Sequence, residues 1–230
     1  KNLIAEKTTR NYQQEFRKIS MELMDLSTAE EWAAFYQKMI FWELELESLV
    51  DPGMMEIFES QIKEANSLFS KFISKSYENW MNDSTAAPEL SHTIFKNKVK
   101  PLLKENKPTL LLVIDNLRMD QWKTIEPLLT DFYQKEKEET YYSILPTATQ
   151  YARNALFSGC TPLKISELYP QWWKNDADEG GKNLFEKDLL QAQLKRLNID
   201  GKMSYHKITN LKNGKLLAKS LSNHKDEKLT

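Results

Sequence analysis

The sequence predicts an α/β protein, an N-terminal three-helix bundle followed by the first part of a parallel sheet. Three observations carry that expectation. Apolar residues recur at spacings of three and four over the first eighty positions. A continuous apolar run, Thr109-Leu110-Leu111-Leu112-Val113-Ile114, is short enough to be a strand and ends on Asp115. Predicted strands and helices alternate from there on, as in parallel sheets.

The first stripe is Tyr12, Phe16, Ile19, Leu23 and Leu26. Ser27-Thr28-Ala29-Glu30 restarts a helix with a capping-box pattern, and Trp32, Phe35, Tyr36 and Met39 continue the period. Trp42 stands beside Glu43, Glu45 and Glu47 at the end of this second helix, where an exposed aromatic could meet another chain; a solvated acidic face explains the glutamates equally well. Asp51-Pro52-Gly53 is the next break, with Asp51 as N-cap and Pro52 as first helical residue. Met54, Ile57, Phe58, Ala65, Leu68, Phe69, Phe72 and Ile73 extend a third stripe to about Trp80. Short connections between the three helices predict an antiparallel bundle over residues 1–83.

Asn82-Asp83-Ser84-Thr85-Ala86-Ala87-Pro88 is the natural boundary. A linker and leading helix occupy 84–104, where Ile94 to Leu103 is helical and Pro101 bends or restarts it. In the remainder, 105–230, the run at 109–114 predicts a strand buried on both faces. Gln121 to Tyr133 predicts a helix interrupted by Pro127, and Glu139 to Leu145 a second strand. Asn183 to Leu197 predicts a further helix and Lys202 to Ile208 a third strand, with a turn at Asn213-Gly214.

The chemistry concentrates at two places. Asp115 closes a predicted strand at the edge where open α/β sheets bind ligands. Pro146-Thr147-Ala148-Thr149 opens the predicted helix Gln150 to Phe157, which Ser158-Gly159 closes. A Thr there is an N-cap contributing about 1 kcal/mol, or a hydroxyl at the positive end of a helix, where a phosphoryl oxygen is attracted. The hydroxyl would still need a metal or a base to ionise. Arg153 and Asn154, one turn on, are placed to meet a phosphate, and Asn154 is the preferred substrate-binding candidate. Arg118 and Asp120 read as an ordinary surface pair.

Other chemistries fail on detail. Position 117 is Leu, where a haloacid-dehalogenase phosphatase needs a second carboxylate. No Gly-x-Ser-x-Gly elbow is present, and six glycines leave no Walker or Rossmann loop. Lys plus Arg is 32 against Asp plus Glu 33, so no global field draws the chain to nucleic acid or an anionic membrane. The single cysteine, Cys160, excludes an internal disulfide and predicts a small buried residue. No apolar stretch approaches the roughly 20 residues of a membrane span, and the expected compartment is the cytoplasm.

Asp115-Asn116-Leu117-Arg118, followed by the second Thr of Pro146-Thr147-Ala148-Thr149, resembles the alkaline phosphatase superfamily. The string from Ile144 to Gly159, ILPTATQYARNALFSG, is similar to its PglZ branch. With a helical segment ahead of it, the chain resembles the effector part of response regulators that control type IX protein secretion, without a receiver domain. The resemblance implies a doubly wound, alkaline-phosphatase-like sheet. It implies Thr149 as nucleophile, Asp115 and Thr149 as metal ligands, and two zinc ions in the full domain. It further implies a phosphodiesterase acting on a nucleotide or short oligonucleotide, with a sensor histidine kinase and a sigma factor as partners and room for a homodimer. The alternative is a non-catalytic signalling and dimerisation module with an esterase-like fold.

The remaining family ligands are Asp and His residues from later strands. His92, His206 and His224 stand in no such arrangement, so the metal set in this chain is expected to be incomplete and the chain alone inactive. The ending Asp226-Glu227-Lys228-Leu229-Thr230 reads as the approach to another strand, and the start at Lys1 as that of a fragment.

Overall fold

The helical periods of the first eighty residues fold into three helices: α1 (Asn2–Asp25), α2 (Ala29–Glu47) and α3 (Pro52–Asn82). The computed structural model describes residues 2–49, 52–104 and 107–230, without the side chains of 2–5, so the expected Asp51 cap lies outside the described residues. Two units are distinguished, one of residues 1–88 with 114–140, the other of 89–113 with 141–230.

In the first unit Tyr12, Ile19 and Leu23 of α1 meet Phe35, Met39, Trp42 and Leu46 of α2 and Met54, Phe58 and Ala65 of α3. Trp42 is therefore not an exposed aromatic. It is 8 % exposed, with its ring 5.3 Å from that of Tyr12, and its neighbour Phe41 is the exposed ring. The reason is helical phase: Phe35, Met39, Trp42 and Leu46 recur at spacings of four, three and four, which puts them on the stripe that faces the core.

One polar contact inside the bundle carries no periodic signal. Gln61 accepts a bond from the Tyr12 hydroxyl at 3.1 Å and donates to Phe16 O at 3.1 Å and Ser20 Oγ at 2.9 Å. The buried amide is thus engaged at both ends, and burial pushes the Tyr12 hydroxyl up to about 12.

The cap of α2 is one residue further along than the sequence suggests. Thr28 is the N-cap and Glu31 its reciprocal partner, not Ser27 and Glu30. Glu31 Oε2 accepts from the backbone N–H groups of Ser27 at 2.8 Å and Thr28 at 2.9 Å, while Glu31 N donates to Thr28 Oγ1 at 3.2 Å. Those donors lower the Glu31 pKa below its ordinary value of 4.5. A carboxylate with a depressed folded pKa stabilises the fold above its unfolded value, and that contribution is lost as pH falls through the folded one. Glu31→Gln, which can still close the box, should therefore flatten the loss of stability below about pH 4.5 in an acid titration followed by circular dichroism. Thr28→Ala should cost about 1 kcal/mol at neutral pH in chemical denaturation.

Also in this unit, α5 (Met119–Ile125) packs on α2 and passes into a 3-10 turn, Glu126–Leu129. Pro127 lies at the start of that turn, where its missing N–H is tolerated.

In the second unit, a π-helical turn, Phe95–Val99, runs into α4 (Lys100–Leu103). Pro101 has no N–H to continue an α-helical ladder, and Lys100 N reaches five residues back to Phe95 O. The helices α6 (Thr149–Ser158), α7 (Pro162–Leu168) and α8 (Glu186–Arg196) enclose a core of Phe95, Leu103, Phe157, Ile165, Leu189 and Leu194. The last helix, α9 (Leu211–Ser220), contains Asn213 and Gly214, which are not a turn. Asn210 caps it, its side chain accepting from Asn213 N at 2.9 Å.

The expected doubly wound sheet is not formed among the described residues, which carry isolated parallel bridges in place of continuous strands. Residues 228–230 lie between two parallel segments. Thr109 N donates to Lys228 O at 3.2 Å and Leu111 N to Thr230 O at 2.9 Å, while Ser204 N donates to Leu229 O at 3.1 Å. Of the predicted strands, 109–114 and 202–208 contribute short stretches to this ladder. The segment 139–145 pairs elsewhere, Tyr142 N donating to Glu89 O at 2.8 Å.

The 109–114 run is not buried on both faces. Leu111 packs on the core, whereas Leu110 is 47 % and Leu112 67 % exposed. Alternate side chains of an extended segment point to opposite faces, and even on the Leu111 face the cover does not reach Val113, which is 38 % exposed.

Candidate functional site

Asp115 and Asn116 form the turn that follows the extended run, with Asn116 in the left-handed region at φ 60. Asp115 is exposed. Three residues on, Arg118 Nε donates to Asp120 Oδ1 at 2.9 Å, the expected surface pair. Asp115 belongs to the unit of the bundle, and Thr149 to the unit of α6.

Thr149 is the first residue of α6, and the N-cap is Ala148, extended at φ −57 and ψ 143, with no side-chain cap bond. Neither Thr147 nor Thr149 is therefore the cap, and the capping account of Thr149 does not hold in this geometry. An Ala at the N-cap leaves the leading N–H groups without a side-chain acceptor. The Thr149 hydroxyl is thus carried, half-buried, at the positive end of the ten-residue helix.

The far end of α6 shows why Ser158-Gly159 closes it. Gly159 has φ +63, and a Cβ there would lie 2.1 Å from Gln193 Oε1. That close approach lets Gln193 Nε2 donate to the terminal carbonyls Leu156 O at 3.1 Å and Phe157 O at 2.8 Å. Cys160 follows, buried, its thiol pushed up by desolvation.

Around the first turn of α6, Tyr151 donates its hydroxyl to Asp176 Oδ2 at 2.8 Å, and Gln150 Nε2 donates to Asp176 Oδ1. The carboxylate raises the Tyr151 pKa. Asn154 is 3 % exposed. Its Nδ2 donates to Lys182 O at 3.1 Å and its Oδ1 accepts from Asn183 Nδ2 at 3.1 Å, so both ends of the amide hold the segment before α8. Arg153 Nε donates to the buried carboxylate of Glu186. The two residues expected to meet a phosphate are both engaged within the protein.

Asp176, Asn183, Glu186 and Lys207 escaped the sequence reading. Glu186 in the first turn of a helix reads only as a complement to its dipole, and the others lie in irregular or extended segments with no periodicity.

A zinc ion takes at least three protein ligands in ordinary sites. Among the described residues, no group of three or more His, Cys, Asp and Glu could hold a metal, so these donors do not by themselves fit one. Among the same residues, no helix is long and apolar enough to cross a membrane.

Residues 2–81 match the PorX response regulator linker domain. Residues 94–226, more than half of the chain, match the BREX system PglZ alkaline phosphatase-like domain. No curated protein matches the sequence.

Proposed function

Because the chain belongs to the PglZ alkaline phosphatase-like family, with a response-regulator linker domain ahead of it, we propose that it is the effector part of a two-component regulator and that Thr149 is the nucleophile of a phosphodiesterase. The observation that carries this is the position of Thr149, first in a helix whose N-cap offers no side chain to the leading N–H groups. Those groups and the helix dipole suit a phosphoryl oxygen. Thr149 Oγ1 would give up its proton and bond to phosphorus as the P–O bond to the leaving group breaks, that oxygen taking up a proton; water would then attack the phosphothreonine and return a proton to Oγ1.

The substrate class we propose is a nucleotide or short oligonucleotide, held locally because the near-neutral chain has no long-range field. The reading includes zinc held in part by Asp115 and Thr149, with further donors needed. Bound there, zinc would supply positive charge for the phosphoryl oxygens and acidify the hydroxyl. It also places the protein in the cytoplasm, as a regulator of type IX secretion partnered by a sensor histidine kinase and a sigma factor, and open to homodimerisation.

A non-catalytic signalling and dimerisation module is the second reading. The engagement of Arg153 and Asn154 with Glu186, Lys182 and Asn183 favours it. The complete protein, assayed with bis(p-nitrophenyl) phosphate and a linear dinucleotide, separates the two. Stoichiometric zinc by mass spectrometry, with turnover lost on chelation, is the expected result. Asp115→Asn should lower both zinc content and rate, since an amide is a poorer ligand than a carboxylate. The 230-residue chain alone should hold far less than one zinc. A folded complete protein that hydrolyses neither substrate, with or without added zinc, leaves the second reading.

A further inference from the structure

Glu186 is the one buried acidic residue described in the second unit, and three side-chain donors meet on it. Arg153 of α6 donates to Oε1; on Oε2 the Tyr205 hydroxyl donates at 2.6 Å and Lys207 Nζ at 2.9 Å. A carboxylate with a side chain only 3 % exposed is tolerated because it is paired and hydrogen-bonded. Burial and the adjacent carboxylate both raise the Tyr205 pKa, which keeps that hydroxyl protonated as a donor.

Lys207 does a second thing. The same Nζ donates to Asn183 O at 2.9 Å, and Asn183 Nδ2 in turn donates to Thr149 O at 3.1 Å and to Asn154 Oδ1 at 3.1 Å. A continuous path of direct bonds therefore runs from the buried carboxylate through Lys207 and Asn183 to the residue that carries the hydroxyl. That carbonyl is bonded to the Cα from which the Thr149 side chain hangs, so holding it restrains the Cα–Cβ direction and limits Oγ1 to the staggered positions about it.

We propose that Asn183, itself held by Lys207 and Glu186, is a positioning residue that sets the place of the Thr149 hydroxyl. The proposal rests on Thr149 being the nucleophile, but the bonds that carry it do not. Such a device is useful at this helix in particular: with Ala148 at the N-cap, no side-chain cap bond anchors the first turn, and Asn183 anchors it from outside.

The test uses the complete protein and the substrate bis(p-nitrophenyl) phosphate. Asn183→Ala and Lys207→Met should each lower kcat by about tenfold or more, since small misplacements of a reacting group have large rate effects, with KM within about twofold of the parental value. Lys207→Arg, which can still bridge Glu186 and the Asn183 carbonyl, should recover most of the loss. Without Lys207, whose side chain is 44 % exposed, Glu186 keeps its bonds from Arg153 and Tyr205, and circular dichroism on each variant checks that it is folded. Hydrogen exchange provides a readout separate from activity: amides 151 and 152, which donate to Ala148 O, should exchange faster in Asn183→Ala and Lys207→Met, while 189–194 stay unchanged. A parental protein without turnover would sink the phosphoesterase reading alone, and the exchange pattern would then decide the inference. Parental kcat in folded Lys207→Met, a rise in KM with kcat retained, or unchanged exchange at 151 and 152 would each overturn it.

Discussion

Thr149→Ala in the complete protein should abolish phosphodiester hydrolysis, and Thr147→Ala should keep most of it. The first substitution removes the atom to which phosphorus would be transferred, so the reaction can no longer be split into two steps. The second removes an exposed hydroxyl two residues earlier that caps nothing. Stability should not separate them. The N-cap of α6 is Ala148, so neither change deletes a cap, and each should cost less than the roughly 1 kcal/mol that a lost cap costs. Steady-state kinetics, thermal melting and zinc content on the two variants give the comparison. A folded Thr149→Ala protein that binds zinc and turns over at the parental rate would show that the hydroxyl is not the nucleophile.

What could be read from the sequence follows from the range of the interactions involved. The bundle was legible because one period, repeated over eighty residues, places Tyr12, Ile19, Leu23, Phe35, Met39 and Phe58 on inward faces without knowledge of the partner helix. Trp42 belonged to the same period, and the neighbouring glutamates drew the reading to the surface. The cap shifted by one residue because Ser27 and Thr28, and Glu30 and Glu31, offer the same pattern twice; which pair closes is decided by backbone geometry. Burial of the run at 109–114 depends on what lies over each face, and an apolar run shows only that it could be covered. Asn213-Gly214 sits in a helix because Asn210, three residues earlier, caps it. The helix at Thr149 was visible, but the bond from Asn183 to Thr149 spans 34 residues and has no local signature.

The same distinction sets the expected outcome for the bundle core. Phe58 is 1 % exposed, and its ring lies 6.0 Å from that of Tyr12 across the interface between α1 and α3. Phe58→Ala removes an aromatic side chain that cannot be replaced by water, and it should cost about 3 to 5 kcal/mol, transfer and cavity terms together. That is a large share of a typical domain's stability. Phe16 lies on the same stripe but is only partly buried against the cluster, so Phe16→Ala exposes less new cavity surface and should cost clearly less. The Tyr12–Gln61 bond spans the same helix pair, so a cavity at Phe58 that lets α1 and α3 shift would also loosen the buried amide, and the cost should lie toward the upper end of the range. Urea denaturation of the two variants, with the slope checked for constancy, measures the difference. Equal losses for Phe58→Ala and Phe16→Ala would mean that the core is not organised around the α1–α3 contact.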